Sequence, residues 1–213
     1  MMSRTISEEM FEELCLKAGA PCCRVAEKVD AKRPDYEVEF AGERIVTEVK
    51  QFDPNDEEAG GIGGITITPG DRIRKAIRRA APQLKALSKG ECPAMLVVYN
   101  NSGAKNHTDP YSVATAMQGL DVIPVLVPEE PSISPQFQDA RSGPGKKMTA
   151  NANTTISALG VLRTDFDAEL LLCIYHNSHA RHPIDPEWIR HPRVHHFRLP
   201  GDEASSLGGW ESA

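Results

Sequence analysis

The chain has 213 residues, of which 40% are hydrophobic and 25% are charged, and its formal net charge is −6 at pH 7. This length and composition fit one soluble globular domain, and the lack of any apolar run near the ~20 residues of a transmembrane helix excludes such a span. The negative charge counts against general affinity for nucleic acid, although an acidic protein can still present a basic face.

The cysteines and the amino-terminal segment indicate the compartment. Residues 1–9 lack the apolar core of a signal peptide, so we expect a cytoplasmic protein. Five cysteines, an odd number without an export signal, argue against a disulfide framework. The lack of a C-x-x-C pair argues against a zinc ribbon.

The first predicted element is a helix between Thr5 and Gly19. Thr5 and Glu8 have the spacing of a capping box, and Gly19 stands where a helix would end. Apolar residues recur at helical spacing and form one face, namely Met10, Phe11, Leu14 and Ala18. Three acidic residues lie off that face, namely Glu9, Glu12 and Glu13.

Residues 34–50 predict a β-hairpin, preceded by a short strand over 21–27. Two runs rich in Val, Ile, Tyr and Phe flank Ala41 and Gly42. Gly42 supplies the conformational freedom at positive φ that a tight turn requires. The hairpin is the part of the chain from which a function can be argued.

The loop length decides which charged side chains of the hairpin share a face. A two-residue loop at 41–42 sets Asp35 opposite Glu48. A loop at 42–43 instead sets Asp35 opposite Lys50. With either even-length loop Asp35, Glu48 and Lys50 lie on one face, because side chains alternate along a strand. Only an odd-length loop separates them.

These three side chains form the candidate site. Two carboxylates that face each other at about 5 Å repel and favour a bound cation, and Lys50 adds a positive charge beside them. A hard divalent ion held by a few carboxylate oxygens, with positions open for water and phosphate, is the expected occupant.

A polar loop and a basic helix are predicted after the hairpin. The glycine-rich loop over 53–64 has no G-K-[ST] sequence and is expected to form a mobile flap beside the site. Residues 71–87 predict an amphipathic helix with a kink or local loosening at Pro82. Its polar face is basic and carries Arg72, Arg74, Lys75, Arg78, Arg79 and Lys85.

The next segments complete a mixed order of helices and strands. Residues 93–99 are almost continuously apolar and predict a strand buried on both faces. Residues 109–117 predict a short helix with a proline in its first turn, and 122–127 predict a strand. This order predicts an α/β fold with a mixed central β-sheet flanked by helices.

The carboxy-terminal third is less regular. Residues 128–153 are rich in Pro, Gly and Ser and predict an excursion or loop. Residues 154–162 are ambiguous between helix and strand, and 169–175 predict a strand. We expect a last edge strand over 194–199 and a frayed tail over 201–213.

The Pro-Asp at 34–35 followed by Glu-Val-Lys at 48–50 resembles the PD-(D/E)xK motif of the restriction-endonuclease-like nucleases. The resemblance covers residues 7–99 in order. It implies a restriction-endonuclease-like core, over about 7–127, with a carboxy-terminal extension over about 128–213, in a single domain.

The resemblance implies roles for individual residues. Asp35, Glu48 and the main-chain carbonyl of Val49 are expected to hold Mg²⁺, with Mn²⁺ as a substitute. Lys50 is expected to orient the attacking hydroxide or to stabilise charge in the transition state.

The family also places an acidic residue of the first helix at the metal site and commonly a glutamine on the helix that follows the Glu-x-Lys strand. We favour Glu12 for the acidic residue, then Glu9, with Glu13 left open, and Gln83 for the glutamine. The expected activity is that of a Mg²⁺-dependent endodeoxyribonuclease acting on DNA, with RNA left open. A homodimer is a family expectation.

Two other functions compete with nuclease activity. One is a nucleic-acid-binding module that keeps the fold but does not cut. The other is a zinc or histidine enzyme, because six of the seven histidines fall in the last forty residues. Three prolines interrupt that region and no H-E-x-x-H is present, so turn and surface histidines are the simpler interpretation.

Overall fold

The computed structural model describes residues 4–26, 33–54, 68–103, 106–130, 132–198 and 210–213. Within these residues the chain forms three α-helices and one 3-10 helix, namely α1 (Ile6–Lys17), α2 (Asp71–Ser88), α3 (Pro110–Gln118) and Pro186–Ile189. No helix in this part of the chain is long and apolar enough to cross a membrane.

Twelve strands occur in the described residues. The first four are β1 (Cys22–Arg24), β2 (Tyr36–Phe40), β3 (Glu43–Phe52) and β4 (Ala94–Asn100). Four short strands follow, namely β5 (Asp121–Val122), β6 (Val125–Leu126), β7 (Gln136–Phe137) and β8 (Arg141–Ser142). The last four are β9 (Ala158–Thr164), β10 (Leu170–His176), β11 (Val194–Arg198) and β12 (Glu211–Ser212).

An eight-stranded sheet organises the molecule, in the order β1-β2-β3-β4-β9-β10-β11-β12. β3, β4 and β9 run parallel, and the pairs β2/β3 and β9/β10 are antiparallel. The predicted mixed central sheet flanked by helices is therefore confirmed. The central strands β4 and β10 are nearly continuous apolar runs, as expected for strands covered on both faces.

The two faces of the sheet have separate cores. On one face α1 covers β2 and the odd-numbered residues of β3, with Phe11, Tyr36 and Val49 in the cluster. On the other face α2 and α3 cover the even-numbered residues of β3, with Val46 and Ile77 in the cluster. This alternation places the side chains of Glu48 and Lys50 on the face that α2 covers.

The predicted helix starts are confirmed for α1 and α3. Thr5 caps α1 through the Glu8 N–H, and the Glu8 carboxylate accepts the Thr5 N–H at 2.7 Å, which completes the predicted capping box. Asp109 caps α3, and Pro110 occupies its first turn. α2 also forms as predicted and contains Pro82 within it.

The strand predicted over 122–127 is wrong. β5 and β6 flank Pro124, are two residues each, and pair with β8 and β7 in two small ribbons outside the main sheet. Leu126 and Val127 are 53% and 74% exposed. Proline cannot donate to a strand ladder, and β9 occupies the place beside β4 that this segment would need.

The carboxy-terminal expectations are corrected in two places. The ambiguous segment over 154–162 resolves partly into β9, which lies in the middle of the sheet between β4 and β10. The predicted edge strand is β11, but β12 pairs outside it, so it is not the edge.

The expected frayed tail is ordered at its end. Trp210 packs against Tyr175 with 4.6 Å between ring centroids, and its Nε1 donates to the Pro110 carbonyl at 3.0 Å. Residues 201–209 of that prediction, and residues 55–64 of the predicted flap, lie outside the described residues.

Candidate active site

The hairpin turn sets the register that the site depends on. Phe40 pairs with Glu43 and Tyr36 with Thr47, so the loop has two residues, as the first of the two even-length alternatives predicted. Ala41 and Gly42 have φ values of 50° and 83°, the signature of a type I′ turn. One further step along this register places residue 35 opposite residue 48.

Asp35 contacts β3 at this point. Its Oδ2 accepts the Val49 main-chain N–H at 2.8 Å. Asp35 is half-buried, and desolvation raises the pKa of its carboxyl, while the Val49 N–H and the Lys50 charge act in the opposite direction. The structure therefore brings Asp35 and the end of the Glu-Val-Lys segment together.

Glu48 is the most unusual residue of the site. Its side chain is fully buried, and neither carboxylate oxygen has a hydrogen-bond partner within the described residues. Lys50 Nζ lies in ion-pair contact with Oε1, and its charge opposes the rise in the pKa of Glu48. Desolvation, followed by the nearby Asp35 charge, raises the pKa of Glu48 to about 7.

The main-chain carbonyl of Val49 points to the same side as the carboxylates. The Val46 N–H bonds to Pro93 at the β4 side of β3, whereas the Val49 N–H bonds to Asp35 at the β2 side. In a strand ladder one residue directs its N–H and its C=O to the same neighbour. The Val49 carbonyl oxygen therefore faces the β2 side of β3, the side from which Asp35 contacts this strand.

A hydrogen-bond network holds the end of β3 directly after Lys50. Gln51 accepts the Ser7 N–H at 3.0 Å and donates to Asp53 at 2.6 Å. Asn101 also donates to the Asp53 carboxylate, at 2.7 Å. These contacts tie β3 to the start of α1 and the end of β4, so the backbone that carries Lys50 is fixed from two sides.

The acidic residues of α1 fall at different places. Glu12 accepts from the Tyr36 hydroxyl at 2.9 Å and pairs with Arg4 at 2.9 Å, on the face opposite to Glu48. Glu9 is exposed, and Glu13 pairs with Lys17. None of the contacts described for Glu12 or Glu13 reaches Asp35, so a role for them in the site stays a prediction.

Glu8 is the α1 acid that the sequence analysis did not select. It is buried, its Oε1 accepts from Arg24 at 2.6 Å, and its negative charge contributes to the raised pKa of Asp35. The capping-box spacing identified Glu8 as a cap. Only the packing of α1 against β1 shows that this cap also lies in the electrostatic environment of the site.

Gln83 supports the segment that leads into the site. Its Nε2 donates to the Arg33 carbonyl at 3.0 Å, two residues before Asp35. On the same helix Arg78 and Arg79 are exposed, and Arg79 lies one turn before Gln83. The basic surface of α2 thus extends beside the chain segment that carries Asp35.

The residues present fit a hard divalent cation. Asp35, Glu48 and the Val49 carbonyl offer oxygen donors, which is the chemistry that Mg²⁺ prefers. The unpartnered oxygens of Glu48 are what such an ion would satisfy. Within the described residues no group of three or more His, Cys, Asp or Glu side chains is arranged to hold a metal, so the side-chain part of this site is a pair.

Four of the carboxy-terminal histidines, namely His176, His182, His191 and His196, make hydrogen bonds through their rings. His182 Nε2 donates to the Gly90 carbonyl at 2.6 Å, and the Arg193 N–H donates to His191 Nδ1 at 3.2 Å. His176 Nε2 lies 2.9 Å from His196 Nδ1. These contacts link turns and strands.

Fold and site together define an α/β protein with a mixed sheet, in which one carboxylate directly before β2 and another on β3 lie together with a lysine of β3. Comparisons with protein-family models, with curated proteins and with solved structures found no match. The assignment of function therefore depends on the geometry of the site.

Proposed function

We propose that this protein is a metal-dependent nuclease that hydrolyses DNA phosphodiester bonds and has a restriction-endonuclease-like core. The proposal is supported by the PD-(D/E)xK-like residues Asp35, Glu48 and Lys50 at one point of the hairpin. It is also supported by the exposed basic residues of α2, which suit a phosphate backbone.

The observation that carries the proposal is the state of Glu48. A fully buried carboxylate without a hydrogen-bond partner costs stability unless something compensates its charge. Lys50 compensates it only in part, because desolvation and Asp35 still raise the pKa of Glu48 to about 7. A divalent cation held by Asp35 and Glu48 would compensate both carboxylates, and ionisable groups with such perturbed pKa values are typical of functional sites.

The chain supplies positioning and charge to the reaction. A bound Mg²⁺ would supply an activated water and neutralise charge on the scissile phosphate. Asp35 and Glu48 would hold this ion, and the Asp35 bond to the Val49 N–H holds the Asp35 carboxylate against β3. The Lys50 ammonium would hydrogen-bond the attacking water or a phosphate oxygen, where its charge acts most strongly in the transition state.

A cleavage assay tests the proposal. Purified protein incubated with supercoiled and linear DNA should cut with Mg²⁺ or Mn²⁺ and stop with EDTA. Lys50→Ala and Glu48→Gln should each lower the rate roughly 100-fold or more, the scale expected for removing a group that acts on transition-state charge. Lys17→Ala removes a lysine on α1 that pairs with Glu13 and should leave the rate unchanged.

Other outcomes support the competing functions. If wild type and Lys50→Ala both shift DNA in a gel and neither cuts, a non-catalytic binding module replaces the nuclease. If Lys50→Ala cuts at the wild-type rate and His176→Ala is inactive, an enzyme built on the histidines replaces it. A homodimer, which the family resemblance implies, stays a prediction that sedimentation would check.

A further inference from the structure

A second candidate site lies away from the paired carboxylates, at the carboxyl ends of β10 and β11. A cavity of about 610 Å³ opens there between these strands, the end of α3 and the segment over 146–150. This volume is in the range of small-molecule sites, and such sites commonly lie beyond the carboxyl ends of strands. Its position is distinct from Glu48, which lies on the other side of β4 and β9 from β10.

The lysine and arginine in the wall of this cavity give it a positive charge. Lys146 and Arg198 line it, and no aspartate or glutamate is among the described residues of the wall. Met117, Met148 and Ile184 supply an apolar part. The combination favours a ligand that has about two negative charges at one end and an apolar or ring portion at the other.

A neighbouring cavity of about 630 Å³ does not share this property. It also borders Arg198, but its wall mixes other basic residues with Glu43, Glu91 and Asp185. When positive and negative side chains are present in similar numbers, their electrostatic potentials largely cancel at a distance. The first cavity is therefore the one whose electrostatics select an anion.

The segment that carries Lys146 is held in place by main-chain hydrogen bonds to the end of α3. Lys147 and Met148 donate to the Met117 carbonyl at 3.2 and 3.0 Å. Gly119 has a φ of 98°, and a Cβ there would lie 2.5 Å from the Gly143 carbonyl oxygen, so only glycine permits this close approach. The backbone that carries Lys146 is therefore held in place by these contacts.

The opposite wall is part of the sheet. Arg198 ends β11, and β11 pairs in parallel with β10, which ends at His176. His196 Nε2 lies 3.2 Å from the Ile189 carbonyl, which can only accept, so His196 Nδ1 accepts from His176 Nε2 when both rings are neutral. Burial lowers the pKa of His176 to about 4, so His176 is neutral near neutral pH.

We propose that this cavity binds a small phosphomonoester dianion through Lys146 and Arg198. Two cations match the charge of the dianion, and the guanidinium of Arg198 can make paired hydrogen bonds to two phosphate oxygens. The apolar wall accommodates the group that the phosphate is attached to. This inference does not depend on the proposed nuclease activity.

Calorimetry with AMP and adenosine tests the proposal. Both ligands carry the same base and sugar, so only the phosphate differs. AMP should bind saturably at concentrations up to about 1 mM, and adenosine should not. Lys146→Gln and Arg198→Gln should each weaken AMP binding roughly tenfold or more. Both side chains are exposed, so neither substitution opens the core.

Lys147→Gln is the matched control, because it removes the same charge from the adjacent residue, which does not line the cavity. It should bind AMP as wild type does. Equal losses in Lys146→Gln and Lys147→Gln, equal binding of adenosine and AMP, or no saturable binding of AMP would each overturn the proposal.

The same chemistry occurs at the end of a nucleic-acid strand, and a second experiment separates the two sources. The Glu48→Gln variant in EDTA is titrated with one oligonucleotide carrying either a 5′-phosphate or a 5′-hydroxyl. If the protein prefers the phosphorylated oligonucleotide and Arg198→Gln abolishes this preference, the cavity binds the ends of nucleic-acid strands. Binding of AMP without such a preference assigns it to free nucleotides.

Discussion

At the scale of the residue, the behaviour of Glu48 follows from its surroundings. A glutamate in the middle of a buried strand loses its hydration, and here the Lys50 ammonium replaces it only in part. The proton therefore stays on the folded protein to higher pH than on the unfolded chain, whose Glu48 titrates near 4.5. That difference makes Glu48 a measurable contributor to the pH dependence of stability.

Glu48→Gln should change how stability depends on pH. Between pH 4.5 and about 7 the folded protein binds more protons at residue 48 than the unfolded chain, so the free energy of unfolding falls as pH rises. In EDTA the wild type should therefore lose about 3 kcal/mol relative to Glu48→Gln from pH 4.5 to 8, and most of the loss should be complete near pH 7. Urea denaturation across this range measures it.

Glu39→Gln, at an exposed carboxylate of β2, is the matched control. Its free energy of unfolding should change with pH in parallel with that of the wild type. Parallel curves for Glu48→Gln and wild type would show that Glu48 titrates normally. In that case the main observation behind the metal site would be lost.

At the scale of the element, the turn of the hairpin determines which side chains meet at the site. The two-residue turn at Ala41 and Gly42 sets the pairing of β2 with β3, and that pairing decides that residues 35 and 48 face each other. A slip of one residue would turn every side chain of one strand to the other face. The site geometry therefore depends on a turn that lies at the opposite end of the hairpin.

Ala41→Asn should stabilise the protein. Ala41 has a φ of 50°, where a residue with a Cβ is strained, and asparagine tolerates this conformation better than alanine. Asn-Gly is also the preferred sequence of a type I′ turn, so we expect a gain of about 0.5 to 1 kcal/mol in the free energy of unfolding. Thermal denaturation measures the gain, and the cleavage rate should not change.

Gly42→Ala is the opposite substitution, because Gly42 has a φ of 83° and alanine is disfavoured there. It should destabilise the hairpin by a similar amount. A destabilised Ala41→Asn variant would show that the turn is not of the type that its dihedral angles indicate.

At the scale of the whole molecule, the negative net charge and the proposed DNA substrate are compatible because an acidic protein can present a basic surface. Residues Arg78 and Arg79 of α2 are exposed beside the segment held by Gln83. Several acidic residues instead lie on α1, on the other side of the sheet. A DNA-binding surface can thus exist on a protein whose total charge is −6.

The double substitution Arg78→Ala/Arg79→Ala should weaken DNA binding without unfolding the protein. Each lost phosphate contact reduces the magnitude of the slope of log affinity against log salt concentration by about 1. The slope of the double variant should therefore be smaller in magnitude than that of the wild type by about 2. Binding isotherms at several salt concentrations, in EDTA to prevent cutting, measure this slope. Lys17→Ala on α1 should keep the wild-type slope. If the slope changes equally in Lys17→Ala and in the double variant, DNA binds at a different surface from that of Arg78 and Arg79.

Local patterns were sufficient for the elements that have a strong signal. The capping box of α1, the long amphipathic α2 and the apolar run of β4 each follow from spacing alone, because burial of one or both faces imposes that spacing. The segment over 122–127 has a similar apolar run but lies in exposed ribbons. Its pattern could not show that β9 takes the place beside β4.

By itself the sequence predicted the helices, the hairpin and, for any even-length loop, three charged residues on one face, because period and turn chemistry are local properties. Only the tertiary structure decided that Glu48 is fully buried, with a charge that Lys50 compensates only in part, and that Glu8, rather than Glu12, lies in the electrostatic environment of Asp35. Only the tertiary structure, likewise, brought Lys146 and Arg198 to one cavity across more than fifty residues of chain. Burial, electrostatic coupling and long-range contacts depend on how the elements pack, which no local pattern contains.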